Sequence, residues 1–315
     1  MFSVETIGGP VSTSDLGFTL MHEHVLIFSE GIPRAFPRTW DEKAGAENAV
    51  KTLAELKAKG VDTIIDATVH GLGRDVPPLI PIVKAAGIQV IAATGIYTFE
   101  HLPPFFESRS VEEMADLFVA DITEGIQGTS VKAAVLKCAT DAPGVTPGVE
   151  KVLRATAQAH RRTGVPITTH THAGLQRGLD QQRLFGDDGV DLKRVIIGHC
   201  GDTEDIDYLT KLIDAGSYIG MDRFGLPILT DDKRVAVIAK LCEMGYAERM
   251  VISQDTMAYW DHYKPELRSV VPNWNYFDIV DNVIPMMLEA GITQSQIDLM
   301  TRENPRRIFE NVEPY

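Results

Sequence analysis

Eight short apolar runs, mostly β-branched, alternate with amphipathic stretches along the 315 residues of this chain. The runs cover residues 18–24, 63–67, 89–94, 133–138, 166–170, 194–199, 218–222 and 250–255. Strands that are apolar on both faces belong in a parallel sheet covered by helices. The stretches between them carry helical periodicity. Residues 46–59 place Val50, Leu53, Ala54 and Leu56 on one face, and 110–124 opens with the capping box Ser110-x-x-Glu113. Residues 148–162, 203–215 and 231–244 are similar. Helices stop at glycine, as at Lys59-Gly60, Ala86-Gly87, Thr163-Gly164, Ala215-Gly216 and Met244-Gly245. Residues 3–11, turning at Gly8-Gly9-Pro10, form a candidate hairpin ahead of the first run. A doubly wound sheet usually has fewer strands. The pattern therefore predicts a (β/α)8 TIM barrel, with residues 1–315 as a single domain.

The formal net charge is −14, and no Lys/Arg cluster interrupts it. This argues against a nucleic-acid partner and against an anionic membrane surface. No apolar run approaches the ~20 residues of a membrane span, and the N-terminus lacks the basic-then-apolar pattern of a signal peptide. The cysteines, Cys138, Cys200 and Cys242, are odd in number and unpaired in spacing. They predict neither a disulfide framework nor a zinc knot, and a reduced, cytoplasmic compartment is the expectation.

Chemistry-bearing residues gather where the runs end. The first closes as Leu20-Met21-His22-Glu23-His24, and residues i and i+2 of a strand face one side, so His22 and His24 present two imidazoles together. His170, His199 and Asp255 stand at the ends of later runs. Ligand-type residues at successive strand ends describe a metal site at the mouth of a barrel. His172 makes a second His-x-His but falls past its run, where it lines the pocket or caps the next helix. Lys137 lies inside the fourth run. A lysine pointing into a barrel is costly to keep charged. It is then a candidate for carboxylation by carbon dioxide, for a Schiff base, or for the outer face of the strand. The long irregular stretch 256–275, holding Tyr259, Trp260, Tyr263 and Trp274, falls after the last run, where a barrel places a loop over its site.

Taken together, Met21-His22-Glu23-His24, Lys137, Thr169-His170-Thr171, Gly198-His199, Ser253-x-Asp255 and Asn304-Pro305-Arg306-Arg307-Ile308-Phe309 resemble the phosphotriesterase family of the amidohydrolase superfamily over the full length. The resemblance implies an amidohydrolase-type barrel with two divalent metal ions. His22, His24 and Asp255 would hold one metal and His170 and His199 the other, bridged by carboxylated Lys137. Zinc is expected, with cobalt, iron or manganese also suited to such ligands. Thr94-Gly95-Ile96-Tyr97 and Gly220-Met221-Asp222-Arg223-Phe224-Gly225 resemble the lactonase branch of that family. This implies opening of N-acyl-homoserine or other γ/δ-lactones, with promiscuous phosphotriesterase activity. Asp255 would move the proton, Tyr97 and Arg223 would act at the substrate, and Trp260 and Trp274 would line its pocket. The alternatives are a dedicated phosphotriesterase and a barrel that binds metal without turnover. A homodimer is the implied assembly. Gln254 departs from the branch, which usually has His before the catalytic Asp.

Overall fold

A computed structural model describes residues 2–262, 264–310 and 312–315; Tyr263 lies outside them. Strands β1 (Ser3–Val4) and β2 (Val11–Ser12) form the short antiparallel hairpin at the N-terminus. Then come β3 (Thr19–Ile27), β4 (Thr63–Asp66), β5 (Gln89–Gly95), β6 (Val135–Thr140), β7 (Ile167–Thr171), β8 (Val195–Ile197), β9 (Tyr218–Met221), β10 (Met250–Ile252) and β11 (Met257–Trp260). They lie in one parallel sheet of order β10-β9-β8-β7-β6-β5-β4-β3-β11. Helices α1 (Glu42–Ala58), α2 (Leu79–Ala86), α3 (Val111–Thr123), α4 (Pro147–Thr163), α5 (Arg177–Asp187), α6 (Ile206–Asp214) and α7 (Asp231–Glu243) stand between successive strands. This is the TIM barrel expected from the alternation. The capping box at Ser110 and Glu113 is formed at the start of α3. In the sequence α2 is marked only by its stop at Ala86-Gly87 and α5 is not marked; α2 is a single eight-residue, mostly apolar segment, and α5 follows a 3-10 turn.

The eighth strand position is split, and the split closes the barrel. β10 pairs with β9, the chain leaves regular pairing at 253–256, and β11 then pairs with β3. Residues 256–275 are thus not irregular throughout, because strand β11 near their start extends the barrel wall. At the gap Asp255 N–H donates to His22 O (3.0 Å) and His24 N–H to Thr256 O (2.9 Å).

β3 carries a second irregularity. Its register with β4 shifts between Leu20 and Glu23. The extra residue of a bulge resets which face each side chain takes. Met21 packs with Ile65, Ile91, Val135, Ile196 and Val251 in an apolar layer inside the barrel, and His22 and His24 nonetheless face the pocket above it. The larger apolar core, with Leu20, Ile64, Val90, Leu136 and Ile197, lies between strands and helices. None of the helices among the described residues is long and apolar enough to cross a membrane.

Candidate active site at the barrel mouth

A cavity of about 530 Å³ opens at the C-terminal ends of the strands. Its lining includes His22, His24, Lys137, His170, His199 and Asp255, so the structure brings all six sequence-predicted ligand positions together. Tyr97, Arg223, Trp260 and Trp274 line the same cavity. His172 is not in the lining; it sits at the start of a short 3-10 turn, where its carbonyl accepts from Leu175 N–H. Tyr259, from the stretch 256–275 expected over the site, turns away from the cavity and packs on Phe28 and Trp40.

Three of these residues pay for their aim in backbone conformation. His199, Arg223 and Asp255 have φ of 59°, 67° and 54°. L-residues rarely adopt this left-handed region, and such strain concentrates at functional sites. Each lies two or three residues past the end of a strand, so the departure from β geometry swings its side chain over the barrel mouth.

The imidazoles are held from behind. His24 Nδ1 is 2.8 Å from Thr68 Oγ1, and Thr68 N–H donates to Asp66. His170 Nε2 is 2.5 Å from Asp141 Oδ2, and His199 Nδ1 is 2.8 Å from Asp222 Oδ1. A carboxylate facing a ring nitrogen assigns the proton to that nitrogen. The lone pairs of His170 Nδ1 and His199 Nε2 are then left facing one another at 2.8 Å. Two converging acceptors are reconciled by a shared cation, so the donor set fits a metal. Ligand atoms of His22, His24 and Asp255 also lie within 4.8 Å of one another, as do those of His22, His199 and Asp222.

Burial sets the protonation of the cluster. It holds His22 and His199 well below the ordinary imidazole value, and lowers His170 to about 4. The rings are therefore neutral, the form that donates a lone pair to a metal. Burial also brings Lys137 down to about 8, and its Nζ sits 2.7 Å from His22 Nε2. The hydrogen bond from His170 takes Asp141 down to about 2. Burial opposes ionisation of Asp255, but the neighbouring imidazoles and the Arg223 guanidinium outweigh it and hold the carboxyl well below its usual range. Arg223 donates to Asp255 through Nε (2.9 Å) and to Asp202 through Nη1 (3.1 Å). The Tyr97 hydroxyl lies 3.4 Å from His170 Nδ1.

Sequence reasoning passed over Glu23, Thr68, Asp141 and Asp222 as working parts of the site. Asp141 and Asp222 each stand one residue past a strand end, the same signal that marked the ligands. Glu23 gave no such signal, because its partners lie more than 200 residues along the chain. It is fully buried, and its carboxylate accepts from Gln254 N–H (2.6 Å) and Thr256 N–H (3.0 Å), clamping both sides of Asp255.

A parallel barrel with buried imidazoles, a buried amine and carboxylates converging at its strand ends defines a class of barrel built to hold metal and act on a small molecule. The chain belongs to the phosphotriesterase family, whose model matches residues 2–309. It is 51% identical over 320 residues to a phosphotriesterase homology protein of Mycobacterium tuberculosis, covering 98% of both chains. It is 43% identical over 303 residues to an aryldialkylphosphatase of Saccharolobus solfataricus, covering 95% of this chain and 96% of that one. An N-acetyltaurine hydrolase of Rattus norvegicus is 27% identical over 343 residues, covering 96% and 97%. Among solved structures, a phosphotriesterase from Mycobacterium tuberculosis superposes with a TM-score of 0.97 at 50% identity, covering 99% of this chain and 100% of that one. The protein is a hydrolase of this family.

Proposed function

We propose that this hydrolase opens lactones, with N-acyl-homoserine or other γ/δ-lactones as substrates and phosphotriesters as slower, promiscuous ones. The observation that carries the reading is the pairing of polar groups with an apolar wall in one cavity. Tyr97 and Arg223 stand beside the imidazole cluster, while Ile27, Leu72, Leu226, Met257, Trp260 and Trp274 line the rest. A planar ester carbonyl fits the polar end and an acyl chain fits the wall.

His22, His24 and Asp255 would hold one divalent cation and His170 and His199 a second, with Lys137, carboxylated by carbon dioxide, between them. Zinc is the expected metal. Such a pair supplies Lewis-acid polarisation of a carbonyl and hydroxide at neutral pH. The protein's own residues then have separate tasks. Asp255, kept ionised, accepts a proton and delivers it to the leaving alkoxide. Tyr97 donates a hydrogen bond to the substrate's carbonyl or ring oxygen. Arg223, tied to Asp202 and Asp255, fixes the wall after β9. We read residues 1–315 as one functional barrel domain. We also propose a homodimer, tested by light scattering, in a reduced cytoplasmic compartment, which three free buried cysteines support.

The deciding experiment compares kcat/KM for an acyl-homoserine lactone and for paraoxon with the same metal loaded. A ratio favouring the lactone is expected; a ratio favouring paraoxon would make the protein a dedicated phosphotriesterase. That second reading is favoured by the similarity to an aryldialkylphosphatase. Metal uptake with no turnover of any lactone, ester or phosphotriester would leave a binding barrel.

A further inference from the structure

We propose that Gln254 is a positioning residue that couples the two walls of the pocket, residues 224–230 after β9 and residues 271–275 after β11, and so controls how the site accepts the substrate's side chain. The proposal rests on reading the cavity at the barrel mouth as the ester-binding pocket.

Gln254 is fully buried and does not line the cavity, although it directly precedes Asp255. Its Nε2 lies 2.5 Å from Phe224 O and 3.3 Å from Asn273 O, one carbonyl from each wall. The amide orientation follows from these partners. Turned over, Oε1 would oppose two carbonyl oxygens, whereas the NH2 group offers a proton to each. The chosen orientation leaves Oε1 without a hydrogen-bond partner. An unpaired buried acceptor is unfavourable, and the two donated bonds are what it is exchanged for.

The walls meet where this strut stands. Gly225 has φ +82°, and a Cβ there would sit on the Asn273–Trp274 peptide. The Trp274 indole N–H in turn donates to the carbonyls of Gln254 (3.2 Å) and Asp255 (3.0 Å). Leu226 and Ile228 from one wall and Trp274 from the other face the cavity. Loosening the strut therefore shifts the apolar lining of both walls while Glu23 still clamps the backbone of residues 254 and 256.

Residue chemistry explains why a glutamine serves here. A neutral histidine has a single N–H and serves one carbonyl at a time. A histidinium has two, but on opposite sides of the ring, and adds a buried charge. One carboxamide nitrogen reaches both carbonyls and stays neutral at every pH.

The test uses the metal-loaded enzyme with Gln254→Met, which keeps volume and removes both donors, and Gln254→His, which retains one. Hydrogen exchange is followed at the amides of Gly225, Leu226 and Trp274, which donate to Asp231, Arg223 O and Val271 O respectively. In Gln254→Met, exchange should accelerate in both walls together, about fivefold or more, the scale of one lost hydrogen bond. KM for a long-chain lactone should rise several-fold, with kcat for the shortest lactone and the metal content changing much less. Gln254→His should fall between the two. Acceleration in one wall alone, or in neither, would overturn the proposal, as would an equal KM change for long and short chains. The exchange measurement needs no substrate. Should no lactone be turned over, coordinated loosening of the walls would still uphold the strut while the lactonase reading failed.

Discussion

The floor and the rim of the pocket are built from different materials. At the floor, three of the four imidazoles are backed by a side-chain oxygen: Thr68 behind His24, Asp141 behind His170 and Asp222 behind His199. These supports stand one or two residues past the ends of β4, β6 and β9, strands locked in the parallel ladder. At the rim, the walls of residues 224–230 and 271–275 are tied through main-chain carbonyls. Gln254 holds Phe224 and Asn273, and the fully buried Arg234 of α7 donates to Leu226 O and Leu229 O. The apolar side chains facing the cavity, Leu226 and Ile228, can change without disturbing those bonds. The difference teaches a division of labour. Strand ends hold the groups that do chemistry, and loops held by their backbones present whatever side chains a substrate requires.

That comparison predicts the largest losses at the floor. Lys137→Ala should remove the buried amine we propose as a metal-holding group and lower turnover by at least the ~10²–10³-fold of one lost electrostatic partner. Elemental analysis should show metal stoichiometry falling with it; full metal occupancy and activity in the variant would break the assignment. Asp255→Asn keeps the shape but removes the proton acceptor, and kcat should fall about 10²–10⁴-fold. Because Arg223 would lose one of its two ionic partners and keep Asp202, its guanidinium should be less well ordered in a crystal structure of the variant.

Tyr97→Phe tests the border between the two regions. If the hydroxyl donates to the developing oxyanion, lactone turnover should drop roughly 10²–10³-fold, while paraoxon hydrolysis changes less. Equal losses on both substrates would move Tyr97 from specificity to general support of the site. Asp222→Asn should act more gently, weakening metal affinity ~10–100-fold through misaimed His199, as read by competition with a chelator. A comparable change from a rim substitution such as Ile228→Ala would erase the distinction between floor and rim.

The smallest effect lies far from the pocket. His160 of α4 is buried, with Nδ1 2.7 Å from Val165 O and Nε2 2.8 Å from the Tyr315 hydroxyl. Burial lowers its pKa. Between that lowered value and about 6.5, the unfolded chain binds a proton that the folded chain excludes, so stability declines as pH falls through this window. His160→Gln should flatten the acid side of a Tm-against-pH curve in that window and leave turnover at neutral pH unchanged. An unaltered curve would show that another group sets the acid limit.

The order of elements and the candidate ligand positions were legible in the sequence because both are local. A buried parallel strand shows itself as an apolar run, and its C-terminal end follows within a residue or two. Hence His22, His24, Lys137, His170, His199 and Asp255 could be read without any contact being known, and all of them reach one cavity. The supporting residues were legible only in part. Asp141 and Asp222 carried the strand-end signal but no reason to separate them from capping carboxylates, until His170 and His199 were seen against them.

What only the tertiary structure decided depends on residues distant along the chain. The bulge in β3 arises from pairing with β4, and the split of the eighth strand from the need to pair β9 on one side and β3 on the other. Glu23 meets Gln254 across 231 positions, and Arg223 meets Asp255 across 32. Arg223 uses Asp202 and Asp255 together. Tyr259 faces Phe28 and Trp40 because β11 joins the barrel wall, while Trp260 remains on the pocket side. Periodicity reports which residues are buried and where strands end. Which side chain accepts which proton is settled when the barrel closes and distant segments share one dry, crowded mouth.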